Sequence, residues 1–289
     1  MVRLLALAIG LALVLPVSGG AREIAQFIAN AAVFLLFFLN GVRLPRHEVM
    51  AGLGNHRFLW PLTLWCFGAM ALAGWAFWQT GQGWMPPLIA LGFLYLGCLP
   101  STVQSATAYS ALAGGNLASS VVAAALLNLL GVFITAPLFS LLAGGNGAEL
   151  HSDGLLKVVL ILLLPFMLGQ IAQGKLAAWV KEHRQLTTWF DRGSIAIAVY
   201  VAFSGAVEQR FWTLVEPAGW FWLGGGVALF LAVGHFGAWL LGGLLKLDRA
   251  NRVSMLFAGA QKSIAMGAPL ASVLFTPAVA GVVLLPILR

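Results

Sequence analysis

One lysine sits alone inside an apolar stretch of this sequence. Lys262 lies in Gly259-Ala260-Gln261-Lys262-Ser263, ten residues past Arg252 and seven before Pro269. That is too far from either end of a membrane helix for its ammonium to snorkel to water. A lysine held there costs roughly 2.5–3.5 kcal/mol on insertion scales, so it needs a partner, a cavity or the loss of its proton. The bland alternative is a structural cation that caps the carbonyls of a broken helix; the sequence reading favours a functional role. A second polar cluster, Leu99-Pro100-Ser101-Thr102-Val103-Gln104-Ser105-Ala106-Thr107, surrounds a proline. Pro100 lacks a backbone donor and clashes with the preceding turn, so a helix opens there. Its neighbours either repair the kink or offer freed groups to a ligand. The third cluster is Asn116, Ser119, Ser120 and the deeper Asn128, for which bonding to a neighbouring helix is an equal alternative. His235, in an aromatic setting, reads as a packing residue, and Gln170 after Pro165 as a cavity or kink residue. Cys66 and Cys98 read as packing residues as well. No nucleophile–base set, carboxylate pair, metal-ligand spacing or phosphate loop is present, so neither an enzyme nor a cofactor is expected.

The elements that must hold these residues are membrane helices. Of the 289 residues, 61% are hydrophobic and only 9% charged, and mean hydropathy is +0.94. A soluble domain carries roughly 25% charged residues. The net charge of +7 is scattered through short loops with no aromatic interleaving, which argues against nucleic acid. Spans of about 20 apolar residues fall near 3–18, 24–42, 58–79, 86–112, 117–142, 155–173, 193–207, 219–244, 253–267 and 270–289. The fourth, ninth and tenth look broken or short. With these spans, Arg3, Arg43, Arg46, Arg57, Lys175, Lys181, Arg184, Arg192, Lys246, Arg249 and Arg252 all lie on one side. The other side carries Arg22, Lys157 and Arg210, with Glu23, Glu149, Asp153, Glu208 and Glu216. The basic side is expected to be cytoplasmic, with both termini there, in a multi-pass membrane protein. Arg3, the run Leu4–Val17 and Ser18-Gly19-Gly20-Ala21 also fit a signal peptide, the lesser reading.

Ten spans divide into five and five. An odd-numbered repeat inserts its second copy upside down, so the expected fold is all-α, two inverted five-helix repeats over residues 1–142 and 143–289. Phe38-Leu39-Asn40-Gly41 and Ala202-Phe203-Ser204-Gly205 are weak echoes of one another. Broken segments at matching places in the two halves are the sequence mark of a transporter's midplane site.

At these residues the chain resembles the bile acid:sodium symporter superfamily, and more closely its bacterial SBF-like branch. The resemblance runs through Leu99 to Ser105, Ala113-Gly114-Gly115-Asn116, Asn128-Leu129-Leu130-Gly131, Leu164 to Gln170, Asp191-Arg192-Gly193-Ser194 and Gly259 to Ser263. It implies a panel of spans 1, 2, 6 and 7 and a core of spans 3–5 and 8–10, with broken spans 4 and 9 crossing in the core. It also implies an organic-anion substrate bound between panel and core, driven by sodium in the wider family. The chain departs from sodium-coupled members at the cation site. Phe257 stands at their glutamate position and Lys262 completes the pair begun by Gln261, while Ser120 matches a hydroxyl ligand and Ala124 does not. An ammonium beside a site that has lost its carboxylate repels sodium. The Lys262 ammonium is then expected to stand in sodium's place, with proton loss coupling anion movement to protons.

The resulting expectation is a secondary transporter of a small organic anion, in the lipid bilayer and coupled to sodium or protons. Its binding residues would be Gln104, Ser105, Thr107, Ser120, Asn128, Gln261, Lys262 and Ser263, with helix breaks at Pro100 and Pro269. The alternative is a non-transporting membrane regulator or scaffold of the same fold. Oligomeric state is open, and the last span, ending at Arg289, is short.

Overall fold

A computed structural model describes residues 2–43, 56–144, 154–208, 210 and 217–287. Among these residues every regular element is helical. In chain order they are α1 (Val2–Val14), α2 (Gly20–Arg43), α3 (His56–Leu64), a π-turn (Trp65–Ala69), α4 (Met70–Gly81), α5 (Pro87–Cys98), α6 (Gln104–Leu112) and α7 (Leu117–Ala143). Then follow α8 (Gly154–Val158), a second π-turn (Val159–Leu163), α9 (Leu164–Glu182), α10 (Arg184–Glu208), α11 (Pro217–Leu244), α12 (Arg249–Ala260), α13 (Ile264–Leu274), α14 (Pro277–Val283) and a 3-10 turn (Leu285–Ile287).

Six continuous helical runs among the described residues are long and apolar enough to cross a bilayer: Gly20–Arg43, His56–Gly81, Leu117–Ala143, Leu156–Glu182, Arg184–Glu208 and Gly219–Leu244. Arg3–Val14, Pro87–Cys98 and Ile264–Leu274 are shorter apolar helices. Phe27, Ile171, Phe221 and Leu244 lie exposed on these helices. In hydrocarbon such surfaces need no cover, and a helix satisfies its own backbone there. The chain is a multi-pass membrane protein.

Two compact units divide the chain. One comprises Met1–Leu44, Gly145–Glu216 and Gly267–Leu285; the other comprises Pro45–Gly144, Pro217–Met266 and Pro286–Arg289. In the first, α2 packs on α9 and α10, and α10 on α1 and α14. A Cβ added at Gly41 would sit 2.2 Å from the Phe166 carbonyl oxygen, and one at Gly169 would sit 2.1 Å from that of Phe38. Only glycine permits this backbone-on-backbone approach, which replaces the hydrophobic drive that lipid removes. Gln170 Nε2 then donates to Gly41 O at 2.6 Å and Gln173 Nε2 to Val42 O at 3.2 Å, capping the last carbonyls of α2. Ion pairs tie α2 to α10 at both ends, Arg22 with Glu208 and Arg43 with Asp191. In the second unit Gly74 and Gly97 bring α4 and α5 together in the same way. There α11 packs on α12, and α12 on α6 and α7.

Several expectations change. The basic loop between spans 6 and 7 is helical: α9 runs to Glu182 and α10 starts at Arg184, so Lys175, Lys181 and Arg192 sit within these helices. Polar turns carry both helices past their apolar windows. Pro269 does not break its helix but lies inside α13, whose break comes earlier, at residues 261–263. One missing donor in an otherwise apolar helix is tolerated as a local adjustment. The Arg46, Glu149, Asp153, Glu216 and Arg289 assignments lie outside the described residues.

Candidate functional site

The site forms in the second unit, where two helices come apart opposite each other. Pro100 bars the α conformation at Leu99, which takes φ −72° and ψ 148° and ends α5. Gln261, at ψ 128°, ends α12. The two extended segments pair: Ser263 N–H donates to Pro100 O at 2.9 Å, and Ser101 and Lys262 form an antiparallel bridge. α6 and α13 resume beyond the breaks. α7 reaches the first break through Gly131, where an added Cβ would lie 2.6 Å from the Pro100 ring.

Lys262 is 7% exposed. Its Nζ donates to Leu99 O at 2.7 Å, Gly97 O at 3.0 Å and Cys66 O at 3.0 Å, with Cys66 Sγ at 3.6 Å. Three ammonium donors thus meet three backbone carbonyls, two of them at the C-terminal end of α5. These carbonyls are orphaned by the break, and the charge also offsets the negative end of the α5 dipole. The geometry gives Lys262 the carbonyl-capping contacts that the sequence had left open as an alternative. The third carbonyl has its own origin in the π-turn of residues 65–69. There Met70 N–H bonds to Trp65 O, five residues back, rather than to Cys66 O as an α-helix requires. Cys66 O is left for the lysine.

Asn128 braces the same break. Its Nδ2 donates to Ser101 O at 2.7 Å and to Ala124 O at 2.9 Å, so the side chain links α7 to the unwound segment. Asn128→Leu keeps the branched outline of the side chain, with more bulk, and leaves Ser101 O short of a donor, which costs about 1–3 kcal/mol. An apparent melting temperature lowered by several degrees in detergent checks this; an unchanged value contradicts the bracing role.

The other sequence candidates divide between two places. Ser263 joins Lys262: its backbone holds Pro100 and its Oγ accepts from Met266 N–H at 3.3 Å, capping α13. Ser105 Oγ lies 3.5 Å from Gln261 Oε1, a long contact across the two breaks. Gln104 begins α6 as an exposed residue, and Thr107 turns its hydroxyl back to Val103 O at 2.7 Å. Ser120 stands apart. It bonds to Ser110 Oγ at 2.7 Å, which is 3.1 Å from Ser254 Oγ, and both Ser120 and Ser254 donate to Asn116 O at 3.0 Å. This serine cluster seals α6, α7 and α12 together. Gly115 makes room for it, since a Cβ there would be 2.2 Å from Ser110 Oγ. Sequence reasoning passed over Ser110 and Ser254, and read Cys66 as packing alone. Ser110 and Ser254 lie 144 residues apart, so no local spacing connects them. Both are polar in apolar surroundings, a signal available beforehand. Phe257 packs its ring 5.8 Å from Tyr109 and 6.3 Å from His235, centroid to centroid. No group of three or more His, Cys, Asp or Glu that could hold a metal occurs among the described residues.

The arrangement holds the Lys262 side chain among backbone carbonyls, beside the starts of α6 and α13, whose N–H groups and positive dipole ends point toward the breaks. Comparison with known proteins agrees with a transporter. The chain matches the SBF-like CPA transporter family over residues 1–288. It is 34% identical over 279 residues to the uncharacterized protein PA2026 of Pseudomonas aeruginosa, covering 96% of this chain and 84% of that protein. It is 33% identical over 279 residues to the putative symporter YfeH of Escherichia coli, covering 94% and 82%. It is 22% identical over 275 residues to the sodium/bile acid cotransporter 7 of Mus musculus, covering 90% and 77%. With its apolar helices and interrupted segments, the chain belongs to the SBF-like CPA transporter family and is a membrane transporter rather than an enzyme.

Proposed function

We propose that this chain is a secondary active transporter of a small organic anion across the bacterial inner membrane, with ten spans in inverted halves and both termini cytoplasmic. The Lys262 ammonium supplies the positive charge that sodium supplies in coupled relatives. The observation that carries this reading is the set of three carbonyl bonds at Lys262 Nζ. A carbonyl cage around a monovalent cation is how sodium is held at broken helices, and here a side chain fills it. Phe257 in place of a carboxylate and Ala124 in place of a hydroxyl support the same reading.

Coupling follows from proton count. A neutral amine has two N–H groups and a lone pair, and in this cage the lone pair would face a carbonyl oxygen. Lys262 therefore keeps its proton while the three carbonyls surround it. Release belongs to a state in which they have parted, which is what proton coupling requires. In proteoliposomes, uptake of radiolabelled taurocholate and butyrate should follow an imposed proton gradient and ignore a sodium gradient. Lys262→Ala and Lys262→Gln should lose accumulation. Sodium-driven uptake that survives both substitutions would overturn the reading.

A further inference from the structure

A second polar feature lies in the first unit, along α2. Arg22, Gln26 and Asn30 recur every four residues and share one face of the helix. With Glu23 and Phe27 they line a groove of about 390 Å³. Arg22 Nη1 donates to Glu208 Oε2 at 2.5 Å, yet its Nε and Nη2 are buried and have no partner among the described residues. Those two N–H groups form the side edge of the guanidinium, which matches the two oxygens of a carboxylate. One turn on, Gln26 Nε2 donates to Asn30 Oδ1 at 3.1 Å and reaches Ser272 O at 3.5 Å. Ser272 O is a backbone acceptor of fixed identity, and it sets the amide with its nitrogen on this side. Gln26 Oε1 is left buried, with no donor among the described residues. An unfilled two-donor fork thus stands one helical turn from an unfilled acceptor.

We propose that this groove binds a monocarboxylate that carries a hydroxyl or amide N–H donor. The carboxylate takes the Nε/Nη2 edge of Arg22, the donor takes Gln26 Oε1, and the aliphatic part lies on Phe27. The Glu23 and Glu208 carboxylates flank the fork and disfavour a dianion. The assignment rests on the transporter reading and supplies its substrate class.

The test is equilibrium binding of radiolabelled 4-hydroxybutyrate and butyrate to the purified full-length chain. Wild type should bind 4-hydroxybutyrate about tenfold more tightly, the factor that one good hydrogen bond supplies. Gln26→Leu should erase that preference and leave butyrate affinity unchanged. Arg22→Gln should weaken both ligands at least about tenfold, as loss of a charge-assisted fork does. Glu208→Gln removes the ion pair but keeps the fork, and should retain both affinities. Equal affinities in wild type, or wild-type affinities in Arg22→Gln, would overturn the assignment. Should Arg22→Gln not fold, a tenfold preference retained by Gln26→Leu overturns it equally. None of these outcomes touches the coupling role of Lys262, which fails separately if Lys262→Gln accumulates anion as wild type does.

Discussion

Lys262→Met is expected to be among the most destabilising substitutions in the chain. Methionine is one atom shorter than lysine but close to it in volume, so little cavity forms. What is lost is the ammonium donor to each of Leu99 O, Gly97 O and Cys66 O, leaving Leu99 O with only the weak Cys66 thiol at 3.7 Å. Each unsatisfied buried carbonyl costs about 1–3 kcal/mol, and the terms do not simply add, giving a total near ~3–5 kcal/mol. For a protein of this size that corresponds to roughly 10 °C in apparent melting temperature, readable from tryptophan fluorescence in detergent. Lys262→Gln keeps two donors and should fall between methionine and wild type. A methionine variant as stable as wild type would mean that the carbonyls find other donors, and the capping argument would fail.

Gly169→Val should be comparably severe for a different reason. Its Cβ would lie 2.1 Å from Phe38 O and 3.0 Å from Val42 N, both backbone atoms that cannot turn aside. α2 and α9 must separate, and the Gln170 bond to Gly41 O goes with the contact. Overpacking of this kind costs about 3 kcal/mol or more. Gly174→Ala on the same helix is the control. A Cβ there meets nothing within 4 Å, and glycine lowers helix stability by about 0.5–1 kcal/mol relative to alanine. The control should be neutral or stabilising, and the two melting curves measured side by side decide whether close approach is what holds the pair.

Much of this was legible in the sequence, because a membrane penalises polar groups so heavily that those present stand out. Pro100 announced one break by chemistry alone, and Lys262 the other by its isolation. What was not legible was the identity of the lysine's partners. Backbone carbonyls carry no sequence signal, and Cys66 O is available only because a π-turn shifts Met70 N–H to Trp65. Ser120 could not be assigned either, since its partners Ser110 and Ser254 come from other helices. Pro269 misled because a proline's effect depends on whether neighbouring groups re-satisfy the freed carbonyl. On α2, Arg22, Gln26 and Asn30 show helical spacing in plain view, but only the structure shows which of their atoms lack partners.

The central claim is that Lys262 is a resident cation in a carbonyl cage. Chemical rescue tests it most directly. In Lys262→Ala the cage should be empty, and propylammonium, which restores the missing methylenes and charge, should raise the variant's melting temperature saturably toward wild type. Wild type should not respond, and choline, too bulky and without N–H donors, should rescue neither. A Lys262→Ala protein that melts with wild type, or that ignores propylammonium at every concentration, would contradict the account.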